Sequence, residues 1–310
     1  MKKTNYLKLL RPPLWSGFLI YGIILVRIAP WPPGDISWVK AILVLAPLFF
    51  VPMGWRMTTD GNCFGFALLG GGTAMGFAFI LPAGYLAGLL AMSWLVMTLV
   101  LASKVWSRYR VARKTSYVAW SHLAAFLYLP IGAAWAVADR LGIYPLGFSP
   151  AIVLLTAVHF HFAGFLLPLI SAKILNQGPI RLRRLLDGLV ALGVPLVAMG
   201  ITITQLKGSI LFETLSASIM ALGGLGIAIL HIWRSGNQEE PLIRWFWRLG
   251  GLCLGAGMLL ALAYGWRAFF PISFLSIPWM YAVHGTLNAV GVGVFLLTGW
   301  HYDGKAGRIS

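Results

Sequence analysis

Apolar runs long enough to cross a bilayer recur along the whole chain, separated by short polar connectors. The pattern predicts ten membrane helices, near residues 12–30, 38–55, 62–81, 83–104, 118–138, 150–172, 186–205, 211–233, 246–266 and 276–300. Each run has the length and the scarcity of charge that a hydrocarbon-spanning helix needs. Only "LPAG" separates the third from the fourth, which predicts a tight helical hairpin. No connector is long or polar enough for a soluble unit. Residues 1–310 therefore read as a single transmembrane domain in an all-α, polytopic helical membrane protein.

The start, "MKKTNYLKLLRPPLWSGFLIYGIILV", resembles a signal peptide in its basic opening and apolar run. No small-residue cleavage pattern follows, so it reads as a first span that is retained. Composition agrees with the membrane class: 59% of the chain is hydrophobic and 10% charged, against about a quarter charged in soluble domains. Many of the tryptophans and tyrosines fall near the ends of the apolar runs, where amphipathic rings meet headgroups.

The net charge of +16 would suit a nucleic-acid binder if it were clustered. Instead the basic residues sit in connectors, where they set topology and favour anionic lipid. No nucleic-acid partner is expected, and the lipid bilayer is the partner the sequence names. With the N-terminus in the cytoplasm, the connectors on that side hold 19 Lys and Arg and those on the other hold 5. The alternation survives to the last span. Both termini are thus expected in the cytoplasm, in a multi-pass protein of the inner (cytoplasmic) membrane. Oligomeric state is left open. Cys63 and Cys253 form no disulfide or metal motif and read as small core residues. "GTAMG" (72–76) and "GLCLG" (251–255) are small-x-x-x-small pairs that let helices approach closely.

Candidate chemistry lies in the few polar groups within the apolar runs, since such groups are costly there and mark function by default. "TAVHFHFAGF", Thr156 to Phe165, holds two histidines. Counted from the outer starts of the sixth and tenth spans at 1.5 Å per residue, His159 lies about 13 Å deep, His161 about 16 Å and His284 about 12 Å. The three share one level near the midplane. Residues two apart on a helix point about 200° apart, so His159 and His161 are expected to face different partners. One would face a pocket and the other a neighbouring helix. His161 is the expected pocket residue, because Ala163 and Gly164 leave room and Pro168 loosens the helix. Asn288 follows His284 by four and shares its face, Gly285 opens space beside it, and Thr156 could partner His159. His122 is a weaker candidate. His231 and His301 read as interfacial, Asp139 and Asp187 as membrane-edge charges, and Glu213 as a helix-start charge. Prenyl-diphosphate, zinc-protease and serine-hydrolase signatures are lacking.

At "VHFHFAGF" and "VHGTLNAVG" the chain resembles the YndJ-like family of bacterial integral membrane proteins. The resemblance implies a helical membrane protein with His159, His161, His284 and Asn288 as positions of interest. The family's function is ill-defined, with some members labelled transporters. "VHFHF" is also similar to a His-aromatic-His run in subunit I of the haem–copper oxidases, where the two histidines ligate different haems from opposite faces. The chain lacks that family's His-His pair and His-x-x-x-Tyr pattern.

Three functions follow. The first is a haem or transition-metal centre ligated by His159, His161 and His284, with a redox or metal-dependent role. The second is a proton-coupled transporter of a small solute, with histidines relaying protons between two halves of five spans. The third is an intramembrane enzyme acting on a lipid or isoprenoid, with His159 or His284 as general base. The charge asymmetry makes its own prediction. A cysteine placed in "ARKTSY" (112–117) should react with an impermeant thiol reagent only when it is added from the cytoplasmic side, and labelling from outside would invert the topology.

Overall fold

The computed structural model describes residues 12–58, 65–112, 119–176 and 180–303. Its helical segments are α1 (Pro12–Ile28), α2 (Ile36–Thr58), α3 (Gly65–Ala78), α4 (Tyr85–Ala112) and α5 (Trp120–Leu141). They continue as α6 (Pro150–Leu175), α7 (Ile180–Gln205), α8 (Ile210–Ser235), α9 (Pro241–Gly265) and α10 (Ile277–Tyr302). Eight are long and apolar enough to cross a membrane, while α1 and α3 are shorter apolar helices. The described residues contain no strand. The protein is therefore a polytopic helical membrane protein, and each expected apolar run corresponds to one helical segment. Cys63, the "ARKTSY" residues from 113 on, and the terminal lysines and arginines lie outside the described residues.

Consecutive helices pack side by side: α3 on α4, α4 on α5, α5 on α6, α7 on α8, α8 on α9 and α9 on α10. The two series join where α2 packs against α6 and the start of α10, and where α7 packs against α5 and the end of α6. Glycine makes some of these approaches possible. A Cβ on Gly72 would sit 2.6 Å from the Pro47 carbonyl oxygen, so the first "small" residue of "GTAMG" lies directly on the α2 backbone. Gly251 of "GLCLG" likewise meets the Ala228 carbonyl of α8 at 3.0 Å.

Five charges near helix ends, Asp139, Arg140, Lys173, Asp187 and Arg234, are buried and have structural tasks. Asp187 on α7 is 2% exposed. Its carboxylate accepts from the backbone N–H groups of Trp120 and Ser121 at 2.8 and 2.9 Å. A residue expected as a plain edge charge is thus the cap of another helix, replacing the side-chain cap that Ala119 cannot supply. Asp139 pairs with Arg140 at 2.6 Å, and Arg140 lies 4.6 Å from the centre of the Phe79 ring. Lys173 donates to the Met57 carbonyl at the end of α2, and Arg234 to the Ile174 carbonyl at the end of α6. Cations thereby satisfy carbonyls that the ends of helices leave without an intrahelical donor.

Three helices are locally unwound into π-turns: α2 at Ala46–Phe50, α6 at Phe162–Leu166, and α10 at Met280–Gly285 and Leu287–Val292. Proline is the local cause in α2 and α6. Pro52 and Pro168 have no N–H, so the usual bond to the residue four back is lost. The chain instead closes a wider ring, with Val51 donating to the Ala46 carbonyl and Leu167 to Phe162. Such turns rotate everything beyond them relative to a regular helix. Asp187→Ala should strip the cap from α5 and cost about 1 to 2 kcal/mol, read as a lowered midpoint when the purified protein is unfolded in detergent. An unchanged midpoint would remove Asp187 from this role.

Candidate functional site: a histidine-bearing cavity

The three π-turned helices, with α7, α8 and α9, enclose a cavity of about 380 Å³. It runs along the helices. On α9 it is lined from Gly265 down to Leu254 and on α7 from Gln205 up the chain to Val194, about 16 Å at 1.5 Å per residue. Its character changes with depth. At the mouth stand Gln205, Glu213 and Arg267, the last two paired at 2.8 Å. Halfway down lie His159, His284 and Asn288. The inner end is lined by Leu166, Leu167, Val194, Leu254 and Val292. Beyond it α6 is buried without a break from Leu167 to Leu175.

His159 owes its position to α6, which Ser149 and Pro150 start and the π-turn interrupts just after His161. Its Nδ1 lies 2.8 Å from the Leu155 carbonyl one turn back. A carbonyl can only accept, so Nδ1 carries a proton, and in the neutral ring, which an apolar setting favours, Nε2 keeps a lone pair. The ring is open to the cavity, and no side chain or backbone group among the described residues engages Nε2. His159 is therefore a neutral acceptor and potential base facing apolar space.

His161 is turned the other way. It is fully buried and absent from the cavity wall. Its Nδ1 lies 2.8 Å from the Ala157 carbonyl, and its Nε2 accepts from the indole N–H of Trp94 on α4 at 3.0 Å. The rings of the pair stack at 6.4 Å. The division between a pocket histidine and a packing histidine follows the 200° separation, but the assignment is the reverse of that expected. Pro168 and the π-turn act only after His161, and the small residues Ala163 and Gly164 do not decide which ring reaches the cavity. With both ring nitrogens engaged by protein, His161 is also unlike a haem-ligating histidine.

His284 donates Nδ1–H to the Gly257 carbonyl of α9 at 2.8 Å. Asn288 Nδ2 donates to the His284 carbonyl at 2.8 Å and lies 3.3 Å from Nδ1. Gly257 makes this possible, since a Cβ there would stand 2.6 Å from Asn288 Nδ2. His284 and His159 line the same cavity. Thr156 lines the cavity, but its hydroxyl is tied to the Ile152 carbonyl and not to His159. His122 does not line it. Its ring lies edge-on to Phe126, and its buried Nε2 has no partner among the described residues.

Among the described residues, no three His, Cys, Asp or Glu side chains gather as metal ligands. The expected set of His159, His161 and His284 is not assembled, because His161 points at α4. His159 and His284 are the two imidazoles that could share a metal or another ligand. Sequence reasoning also missed two features. His231, expected at an interface, is fully buried between α8 and α10, with Nδ1 at 2.9 Å from the Ile227 carbonyl and Nε2 accepting from Trp300 at 3.1 Å. Glu213 does stand in the first turn of α8, but its pairing with Arg267 at the cavity mouth joins residues 54 apart in the chain, a separation at which no local pattern signals contact.

The YndJ-like protein family matches over residues 41–292. The chain is 29% identical, over 187 residues, to a Bacillus subtilis (strain 168) protein described as "Uncharacterized membrane protein YndJ". That alignment covers 59% of this chain and 33% of the relative, so the chain spans about a third of the length of the curated relative it matches. No solved structure matches. These matches give no support to the likeness with haem–copper oxidases.

The two adjacent histidines make opposite predictions. His161→Ala leaves the Trp94 indole N–H unpaired in hydrocarbon and should destabilise the protein by about 0.6 kcal/mol, rising to about 1.7. His159→Ala removes only a bond to its own helix and should leave the unfolding midpoint unchanged. Equal shifts in detergent unfolding would contradict the assignment.

Proposed function

The chain belongs to the YndJ-like family of membrane proteins, and we propose that it holds a small, mostly apolar molecule of lipid or isoprenoid type in the cavity between α2 and α6–α10. The observation that carries this reading is His159, exposed on a mostly apolar cavity wall with no partner for its Nε2 among the described residues. The volume of about 380 Å³ falls in the range of small-molecule sites, which are mostly apolar with a few placed polar groups. His159 and His284 both spend their single proton on a backbone carbonyl, so at this level the cavity offers imidazole acceptors. A ligand must bring the donor. No carboxylate lines the cavity at this depth, which favours a neutral hydroxyl over an ammonium group.

Held there, a hydroxyl would donate to His159 Nε2, and the same nitrogen would serve as a general base if the protein is an enzyme. Of the three functions considered, the lipid or isoprenoid reading fits best. A haem or metal centre keeps two imidazoles rather than three. The transport reading draws on the unbroken burial of α6 from Leu167 to Leu175 beyond the inner end of the cavity, since one state of an alternating-access carrier would be closed on that side. On the charge bias of the connectors, the mouth faces away from the cytoplasm.

Protein purified gently and analysed by mass spectrometry should carry a co-purifying lipid-class molecule. His159→Ala should lose it. Gly285→Leu should also lose it, because Gly285 lines the cavity and its Cβ meets nothing closer than Ile42 Cδ1 at 3.6 Å, so the added side chain fills the cavity without disturbing the fold. Retention of the molecule by both variants, at normal abundance, would overturn the proposal.

A further inference from the structure

Thr156 stands three residues before His159 on the same face of α6, and both line the cavity. Thr156 gives its hydroxyl proton to the Ile152 carbonyl at 2.7 Å, as His159 gives its ring proton to Leu155 at 2.8 Å. Each proton is thereby committed to the helix itself, and each side chain keeps an acceptor. Elsewhere the protein completes this arrangement with an N–H from outside the helix. Thr286 donates to Ala282 and receives the indole N–H of Trp38 at 3.0 Å. Ser218 donates to Thr214 and receives that of Trp266 at 3.0 Å. Ser235 donates to Ile232 and receives Arg248 Nε–H at 3.0 Å. His161 and His231 receive Trp94 and Trp300 in the same way. Thr156 and His159 receive no such donor from the described residues, and they lie side by side facing one cavity.

Resting on the ligand-binding reading just given, we infer that the occupant is a vicinal diol on an apolar frame, one hydroxyl received by Thr156 Oγ1 and its neighbour by His159 Nε2. Helix neighbours at this spacing have Cβ atoms about 5 to 6 Å apart. Hydroxyls on adjacent carbons can bridge that gap, and hydroxyls at opposite ends of a chain cannot. Thr156 is the nearer of the two to the outer start of α6 at Pro150, and beyond His159 the wall of α6 continues to Leu166 and Leu167. The order from the mouth inward is therefore hydroxyl, hydroxyl, apolar frame, which is the order of bonds in a 1,2-diol entered frame first. A ketone or ether oxygen at either place would set lone pair against lone pair, leaving the acceptors without a donor.

The test uses the full chain in nanodiscs with 1,2-decanediol, 1,10-decanediol and 1-decanol, binding being read by calorimetry against empty nanodiscs. The 1,2-diol should bind about fivefold more tightly than 1-decanol, the scale of one net hydrogen bond, and the 1,10-diol should gain nothing over 1-decanol. Thr156→Val removes the hydroxyl, nearly keeps the shape and breaks only a bond to its own helix. It should abolish the advantage of the 1,2-diol and leave 1-decanol unchanged. Thr156→Ser, which restores the hydroxyl, should keep the advantage. His159→Ala should weaken both the 1,2-diol and 1-decanol. A 1,2-diol that binds no better than 1-decanol, that the 1,10-diol matches, or that keeps its advantage in Thr156→Val overturns the paired-hydroxyl inference. If His159→Ala still weakens 1-decanol in that case, the general reading of the cavity stands. If His159→Ala leaves every probe unchanged, or no probe binds, both fall.

Discussion

Hydrocarbon offers no hydrogen bonds, so every polar atom placed in it must find its partner within the protein, and this constraint organises the structure. Histidine meets it here with one repeated local solution. In His159, His161 and His231 alike, Nδ1–H turns back to the carbonyl four residues earlier, on Leu155, Ala157 and Ile227. That bond fixes the ring against its own helix and fixes the tautomer. What remains is Nε2, a lone pair that must be met from elsewhere. Tryptophan on another helix meets it twice, Trp94 for His161 and Trp300 for His231. For His159 none of the described residues meets it, and a cavity lies there instead.

The same constraint accounts for several buried charges. Asp187 takes the first N–H groups of α5, and Lys173 and Arg234 take carbonyls at the ends of α2 and α6. Arg140 divides its guanidinium between Asp139 and the carbonyls of the turn after α3. Charges that would be expensive alone are spent on the ends of helices, which are the places where backbone groups go unsatisfied. His122 also keeps a ring nitrogen without a partner among the described residues, but that nitrogen is buried, whereas His159 opens onto an apolar chamber.

The chamber depends in turn on irregular helices. α2, α6 and α10 each contain π-turns at or near the cavity. In α6 the turn begins directly after His161, so the helix carries its histidine pair in regular geometry and only then changes phase. In α10 the turn brackets His284 and lets its Nδ1 reach across to Gly257 on α9, in place of a carbonyl on its own helix. Gly257 serves twice, giving its carbonyl to the imidazole and its missing side chain to Asn288.

The sequence by itself determined the membrane class, the apolar runs and their order, since these follow from hydrophobicity and helix length, which are local properties. It also put His159, His161 and His284 at one expected depth, because rise per residue is fixed, with Asn288 on the face of His284, and required His159 and His161 to face different ways, because the turn angle is fixed. The family was legible in "VHFHFAGF" and "VHGTLNAVG". Tertiary structure alone decided which histidine met the cavity, since that depends on the rotation of α6 about its axis, set by Trp94 on α4 and by packing against α2. It likewise decided that His231 is buried, that Asp187 caps α5 and that Glu213 pairs with Arg267. Each of these joins residues distant in the chain, and a hydrogen bond is satisfied by whatever group the fold brings within reach, which no local spacing records.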